Sequence, residues 1–366
     1  MIDLKKCWRV SWRLGVCLLL LGWIFHSIFL NEGHAEAQRL GVNWEQLARM
    51  QQWRLAWTTG PQELWRTVGL IRPAALAVSL ALMCLTILIG VVRWRMVLEV
   101  QGLRLPLGRA MSISFVAHFF NSFLLGSTGG DLIKAYYAAR ETHHKKTEAV
   151  VTVFVDRLIG LWALLLFAAV MMVPNFGLLA GHKQLAWPAL LILSMLAALS
   201  VILGVAFWGG VSRRFPGARH YLRRFPKGEL LERSLDSCRQ FGKEKVFLLK
   251  AVGISAALNT VWVLQVMTLA GGLGLNVPAV ALFVIVPIIF CISALPITPS
   301  GLGVRENLFV IMLAALGVGR TSALSLSLLA YAASLFWSLV GGVIYASLKE
   351  REHLDEVRQE TVAENG

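Results

Sequence analysis

Six ionisable side chains that could do chemistry stand inside or directly beside the apolar stretches of this sequence. Asp131 follows Gly129 and Gly130 in "GSTGGDLIKAY", with Lys134 three residues on. Asp156 and Arg157 interrupt "VFVDRLIGL", and Arg305 and Glu306 close "LPITPSGLGVRE" behind Pro296, Pro299, Gly301 and Gly303. One such charge at the centre of a lone membrane helix costs about 2.5–3.5 kcal/mol, so each must face a cavity or a partner. Two kinds of chemistry suit them. A cation such as Lys134, Arg157 or Arg305 can capture an anionic group, above all a phosphate, while a carboxylate balances that cation or relays charge. The glycines leave backbone N–H groups free to bind an anion too. The plainer reading of each pair is a static ion pair bracing two helices. It competes closely for Asp156–Arg157 and less well for Asp131 and Arg305–Glu306, which are expected on irregular backbone.

Other chemistries find no support. The five cysteines (Cys7, Cys17, Cys84, Cys238 and Cys291) are scattered without paired or metal-type spacing. His143 and His144 are adjacent, which is poor metal geometry on one helix, and His118 reads as a hydrogen-bonded core histidine. Gly126-x-x-x-Gly130 suits close helix packing, and no Gly-Lys-Ser/Thr follows it to make a phosphate loop. No nucleophile–base pair stands out. No metal, cofactor or nucleic-acid partner is expected.

The elements that must hold these charges are membrane helices. Of 366 residues, 57% are hydrophobic and 15% charged. Long apolar runs occupy 14–30, 74–92, 110–128, 149–173, 185–208, 246–274, 277–295 and 322–348. Several reach the roughly 20 residues that cross a bilayer, and one soluble core could not absorb them all. The longest stretches between runs, 31–72 and 211–245, fall short of the roughly 50 residues of an independent domain. Only Arg157 and Arg305 among the cations, Lys250 at a run end aside, are expected within membrane segments.

Charge sets the expected sidedness. Lys and Arg number four in 1–13, four in 93–109, four in 132–147 and eleven in 211–250, whereas 174–186, 271–278 and 319–321 hold at most one each. Basic short loops face the cytoplasm. If 110–128 crossed fully, the basic segments on either side of it would lie on opposite faces. The conflict vanishes if the chain dips in, turns near "GSTGG" and returns, and the same parity applies to 277–318 from the other face. The expected fold is thus an all-α polytopic membrane protein. It has about six full transmembrane helices plus two re-entrant hairpins in an inverted-topology repeat. Ala74 precedes Ala251 by 177 residues, Asp131 precedes Glu306 by 175 and Ala149 precedes Ser322 by 173. Such repeats, broken by Gly and Pro at matching positions, mark transporters with a site at the repeat interface.

The expected organisation is an N-terminal helix in 1–30, an external amphipathic segment in 31–72 and a first repeat in 73–210. A basic cytoplasmic segment follows in 211–250, then a second repeat in 251–348 and a charged cytoplasmic tail in 349–366. "AEA" at 35–37 resembles a signal-peptidase site, but the preceding run is long for a signal core and a retained helix is expected. Trp12, Trp94, Trp187 and Trp208 fall at run ends, where an interfacial aromatic belt would put them. Trp44, Trp53, Trp57 and Trp65 suggest a helix lying on the outer surface or serving as a lid.

The segments "STGGDLIKAY", "VFVDRLIGL", "VVRWRMVLE" and "LPITPSGLGVRE" resemble the lysylphosphatidylglycerol synthase transmembrane family, also called flippase-like, over about residues 10–348. The resemblance implies lipid translocation between leaflets of a bacterial inner membrane, and the charge parity above puts both termini of this multi-pass protein on the cytoplasmic side. In some relatives the region is fused to a soluble aminoacyl-transfer domain; this chain ends at Gly366 without one, so synthase activity is not expected. The family often carries Arg three residues after Gly-Gly-Asp, where this chain has the less directional Lys134. The partners implied are membrane lipids with an anionic head group. Two rivals stand beside the flippase. One is a non-catalytic membrane partner of a lipid-modifying enzyme in an aminoacyl-phospholipid, hopanoid or glycolipid pathway. The other is an integral lipid or glycolipid transferase, which should show an acid/base or metal cluster.

Overall fold

The structure, a computed structural model, describes residues 22, 25–26, 28–30, 32–123, 129–141, 146–181, 183–208, 239–295, 298 and 301–364. Most of the N-terminal run, Gly126–Thr128, Pro296, Pro299 and most of the basic segment lie outside the described residues.

Every long element is helical. In chain order they are α1 (Arg49–Gly69), α2 (Pro73–Val100), α3 (Leu107–Phe123), α4 (Gly129–Glu141), α5 (Lys146–Met172), α6 (Phe176–Gly181), α7 (Lys183–Trp208), α8 (Lys245–Gly272), α9 (Ala279–Ser293), α10 (Val304–Ala314) and α11 (Arg320–Glu364). A short 3-10 turn, Trp44–Gln46, precedes α1. Among the described residues, five helices are long and apolar enough to cross a membrane: Pro73–Val100, Lys146–Met172, Ala186–Phe207, Lys245–Gly272 and Arg320–Ser347. They coincide with five of the six expected crossings, and the chain is an all-α membrane protein. The sixth expected crossing falls mainly outside the described residues.

The other apolar runs break into short helices. With 17 residues in α3, 15 in α9 and 11 in α10, their lengths are about 26, 22 and 16 Å at 1.5 Å per residue, against a hydrocarbon core of about 30 Å. α3 packs on α4, and α9 packs on α10. At α4 the packing is backbone to backbone. A Cβ on Gly130 would lie 1.9 Å from the Ala117 carbonyl oxygen, and the Gly130 N–H donates to Asn121 Oδ1 at 2.9 Å. Gly130→Ala should therefore force the pair apart. Overpacking typically costs about 1–3 kcal/mol, so the expected result is reduced yield and a lower melting temperature in detergent, checked by fluorescence-detected gel filtration.

The chain forms two compact units. One comprises 1–86, 161–200 and 256–333, and contains α1, α9 and α10 whole. The other comprises 87–160, 201–255 and 334–366, and contains α3 and α4 whole. The second unit is centred on Trp94, Leu98, Ile113 and Val116, with Ala138 of α4 and Val153 of α5 against them. Trp94 corrects its expected role in the interfacial belt. Its side chain is wholly buried, whereas Trp187 is exposed. α11 continues as helix through most of the expected tail, to Glu364.

Candidate functional site

In the unit built around α3 and α4, a charged network spans four helices. Gly129 and Gly130 open α4, so Asp131 and Lys134 occupy its first turn and a half. Asp131 therefore sits on regular helix, not on irregular backbone. Its carboxylate is next to the positive end of the helix dipole. Three residues apart, Asp131 and Lys134 share a face. α5 presents Asp156 and Arg157, which point about 100° apart as helix neighbours must. They do not brace each other. Arg157 Nη1 donates to Asp131 Oδ2. Asp156 instead faces two cations, with Lys134 Nζ at 3.8 Å and Arg93 Nε donating at 2.8 Å.

Arg93 was not among the cations expected inside the membrane segments. It lies one residue beyond the apolar run that α2 extends, and only the quoted "VVRWRMVLE" hints at it. Its Nη1 also donates to Ser255 Oγ of α8 at 3.0 Å, and Ser255 donates on to the Ala251 carbonyl at 2.7 Å. Gly160 makes room for it, since a Cβ there would lie 2.7 Å from Arg93 Nη2. Lys134 lies over the buried Trp94 ring at 4.1 Å, a cation–π contact that covers the ammonium. Lys134, named among the candidate cations, is thus buried together with Arg93.

Exposure divides this network. The side chains of Arg93, Lys134 and Asp156 are 12%, 12% and 10% exposed, but Arg157 is 36% exposed. Arg157 is the accessible cation, and its guanidinium has more donors than Asp131 uses. His118 sits in the same unit, within 3.1 Å of the Ser334 carbonyl on α11, as a hydrogen-bonded core histidine.

The other unit holds the second pair. Gly301 and Gly303 have φ of 70° and 82°. This left-handed backbone is inexpensive only for glycine, and it turns the chain sharply into α10. Arg305 and Glu306 follow as regular first-turn residues of α10, so here too the irregular backbone lies just before the charges. Glu306 Oε2 accepts the Gly303 N–H at 2.6 Å and caps the helix. Its Oε1 accepts from Arg305 Nη2 and from Nε at 3.1 Å. Arg305 also lies over the Tyr331 ring at 4.5 Å and within 3.4 Å of Ser327 Oγ. Arg305 is 7% exposed and Glu306 is fully buried. This is a closed, internally matched pair. Among the described residues no group of three or more His, Cys, Asp or Glu is placed to hold a metal ion.

Comparison with known sequences now decides the family. The profile of the lysylphosphatidylglycerol synthase transmembrane region matches residues 50–342. The chain belongs to this family. Two relatives illustrate its breadth. A UPF0104 membrane protein of Methanothermobacter thermautotrophicus is 25% identical over 305 residues, covering 75% of this chain and 83% of the relative. A UPF0104 membrane protein of Pyrococcus horikoshii is 22% identical over 324 residues, covering 82% and 94%. The match to the lysylphosphatidylglycerol synthase region takes in both charged groups, from Arg93 in α2 to Glu306 in α10.

Proposed function

We propose that the chain moves an anionic lipid, a phospholipid or a polyprenyl-linked lipid, between the leaflets of a cytoplasmic membrane. Arg157 takes the head-group phosphate and Asp131 is the resident counter-ion it exchanges. One observation carries this reading. The four-helix network contains the cations Arg93, Lys134 and Arg157 against the carboxylates Asp131 and Asp156. It is therefore one positive charge in excess when all five are ionised; the excess lies around Asp156, which faces both Arg93 and Lys134, while the neighbouring Arg157 is the most exposed of the cations. A phosphodiester carries one negative charge and matches it. Arg305 is a weaker candidate for phosphate, because Glu306 already neutralises it out of contact with solvent.

In this reading α3–α4 and α9–α10 are re-entrant hairpins of opposite entry, and both termini are cytoplasmic. Single cysteines at Arg104 and Thr142, the latter outside the described residues, report on the first hairpin. Both should resist a membrane-impermeant thiol reagent in intact cells and react after permeabilisation. Labelling of the two from opposite sides would make α3–α4 a full crossing.

The function is tested in vesicles carrying the purified chain and a trace of phosphatidylglycerol with a reducible fluorophore on its head group. Protein-dependent exposure of the inner-leaflet probe to external dithionite is the expected result. Arg157→Gln should slow it roughly 10–100-fold, the loss of one charge-assisted contact. Arg157→Lys should fall between, keeping the charge without the planar fork. A rate equal to protein-free vesicles in the unmutated chain would refute the proposal.

A further inference from the structure

Outside the charged network, the segment leading into α2 carries a feature of its own. Leu40, Val42, Leu47 and Leu55 wall an apolar groove of about 390 Å³, completed by the exposed Gln51 and Arg54 of α1. α1 ends at Gly69, four residues before Pro73 begins a membrane-spanning helix, and the Arg72 N–H between them donates to the Gly272 carbonyl at 3.1 Å. That tether joins the start of α2 to the end of α8. Trp53 and Trp65 of α1 are 52% and 80% exposed, as aromatic side chains at head-group level are. The arginines nearby differ. Arg39 pairs with Glu36 and Arg66 with Glu63, while Arg54 makes no ion pair among the described residues. An aliphatic trough ending in an unmatched guanidinium has the two-part chemistry of an anionic lipid, with a chain for the walls and a phosphate for the arginine.

We propose that this groove is a lipid-binding site that holds one anionic phospholipid of the surrounding bilayer, its acyl chain along Leu40, Val42, Leu47 and Leu55 and its phosphate at Arg54. Bilayer lipid is the occupant because the helix that carries the groove leads within four residues into a membrane-spanning helix, and the unpaired arginine selects an anionic head group over a zwitterionic one. The site involves none of the residues of the α2–α4–α5–α8 network. It therefore stands or falls separately from translocation.

Native mass spectrometry of the full chain, exchanged into mild detergent with added phosphatidylglycerol or phosphatidylcholine, reads the occupancy. The unmutated chain should retain one tightly held phosphatidylglycerol and release phosphatidylcholine readily. Arg54→Gln should weaken phosphatidylglycerol about tenfold, as expected for one lost charge-assisted contact. Val42→Trp, made at an exposed wall position so that folding is spared, should abolish tight retention by filling the groove. Arg49→Gln, five residues earlier at the start of α1, should change nothing. Equal loss in Arg49→Gln and Arg54→Gln would mean diffuse surface attraction and overturn the site. Unchanged retention in Val42→Trp would overturn it as well. Arg157→Gln should keep this lipid even where it loses transport, which separates the two proposals.

Discussion

Arg305→Gln should destabilise the protein by about 3–5 kcal/mol, the usual cost of stranding one member of a buried ion pair. Glu306 is fully buried and its Oε1 is committed to Arg305, so the variant leaves that oxygen without its cationic partner. Yield and melting temperature in detergent should fall together. The double variant Arg305→Gln with Glu306→Gln should recover most of both. Glutamine at 306 still offers an oxygen to the Gly303 N–H, so the cap of α10 survives while the stranded charge disappears. Paired melting curves of the single and double variants check this. A single variant that melts normally would show that Arg305 is not the partner Glu306 depends on. A double variant that regains stability but transports nothing would return Arg305 to the lipid-handling group.

The second large effect belongs to Asp156. Its carboxylate separates Arg93 from Lys134, and Asp156→Asn would leave two cations facing each other across a neutral amide at a 7% exposed position. A loss of about 3–5 kcal/mol is again expected. Its chain neighbour should behave differently. Arg157→Gln removes a partly exposed partner worth about 1 kcal/mol or less. Asp131 keeps the start of α4 and the nearby Lys134. Thermal melting should therefore collapse for Asp156→Asn and barely move for Arg157→Gln, while lipid movement is lost in both. Similar melting losses in the two variants would make Arg157 a brace and remove the basis for head-group capture.

The membrane helices were legible because hydropathy is a local property. Length and composition place α2, α5, α7, α8 and the membrane part of α11 without any tertiary knowledge. One break was legible too, since Gly301 and Gly303 stand where the backbone turns at positive φ into α10. The pairing of the charges was not. Asp156 and Arg157 diverge by about 100° on α5 and take partners on other helices, whereas Arg305 and Glu306, equally adjacent on α10, pair with each other, and sequence spacing alone does not separate the two cases. Arg93 escaped because hydropathy falls where a cation begins, and the apolar run was ended at Val92. The helix itself continues to Val100. Trp94 was misread for the same reason. A tryptophan at the end of an apolar run marks the interface only if the protein does not fold over it, and here Lys134 and the α3–α5 core do.

Glu306 serves two neighbours at once, with one oxygen on the Gly303 N–H and the other on Arg305. The position is thereby read as a ruler as well as a charge. Aspartate would keep the negative charge but is one methylene too short to span both contacts, and would have to abandon either the helix start or the guanidinium. Chain length at 306 is thus under as strict a geometric demand as acidity, and the tight turn of Gly301 and Gly303 sets that demand.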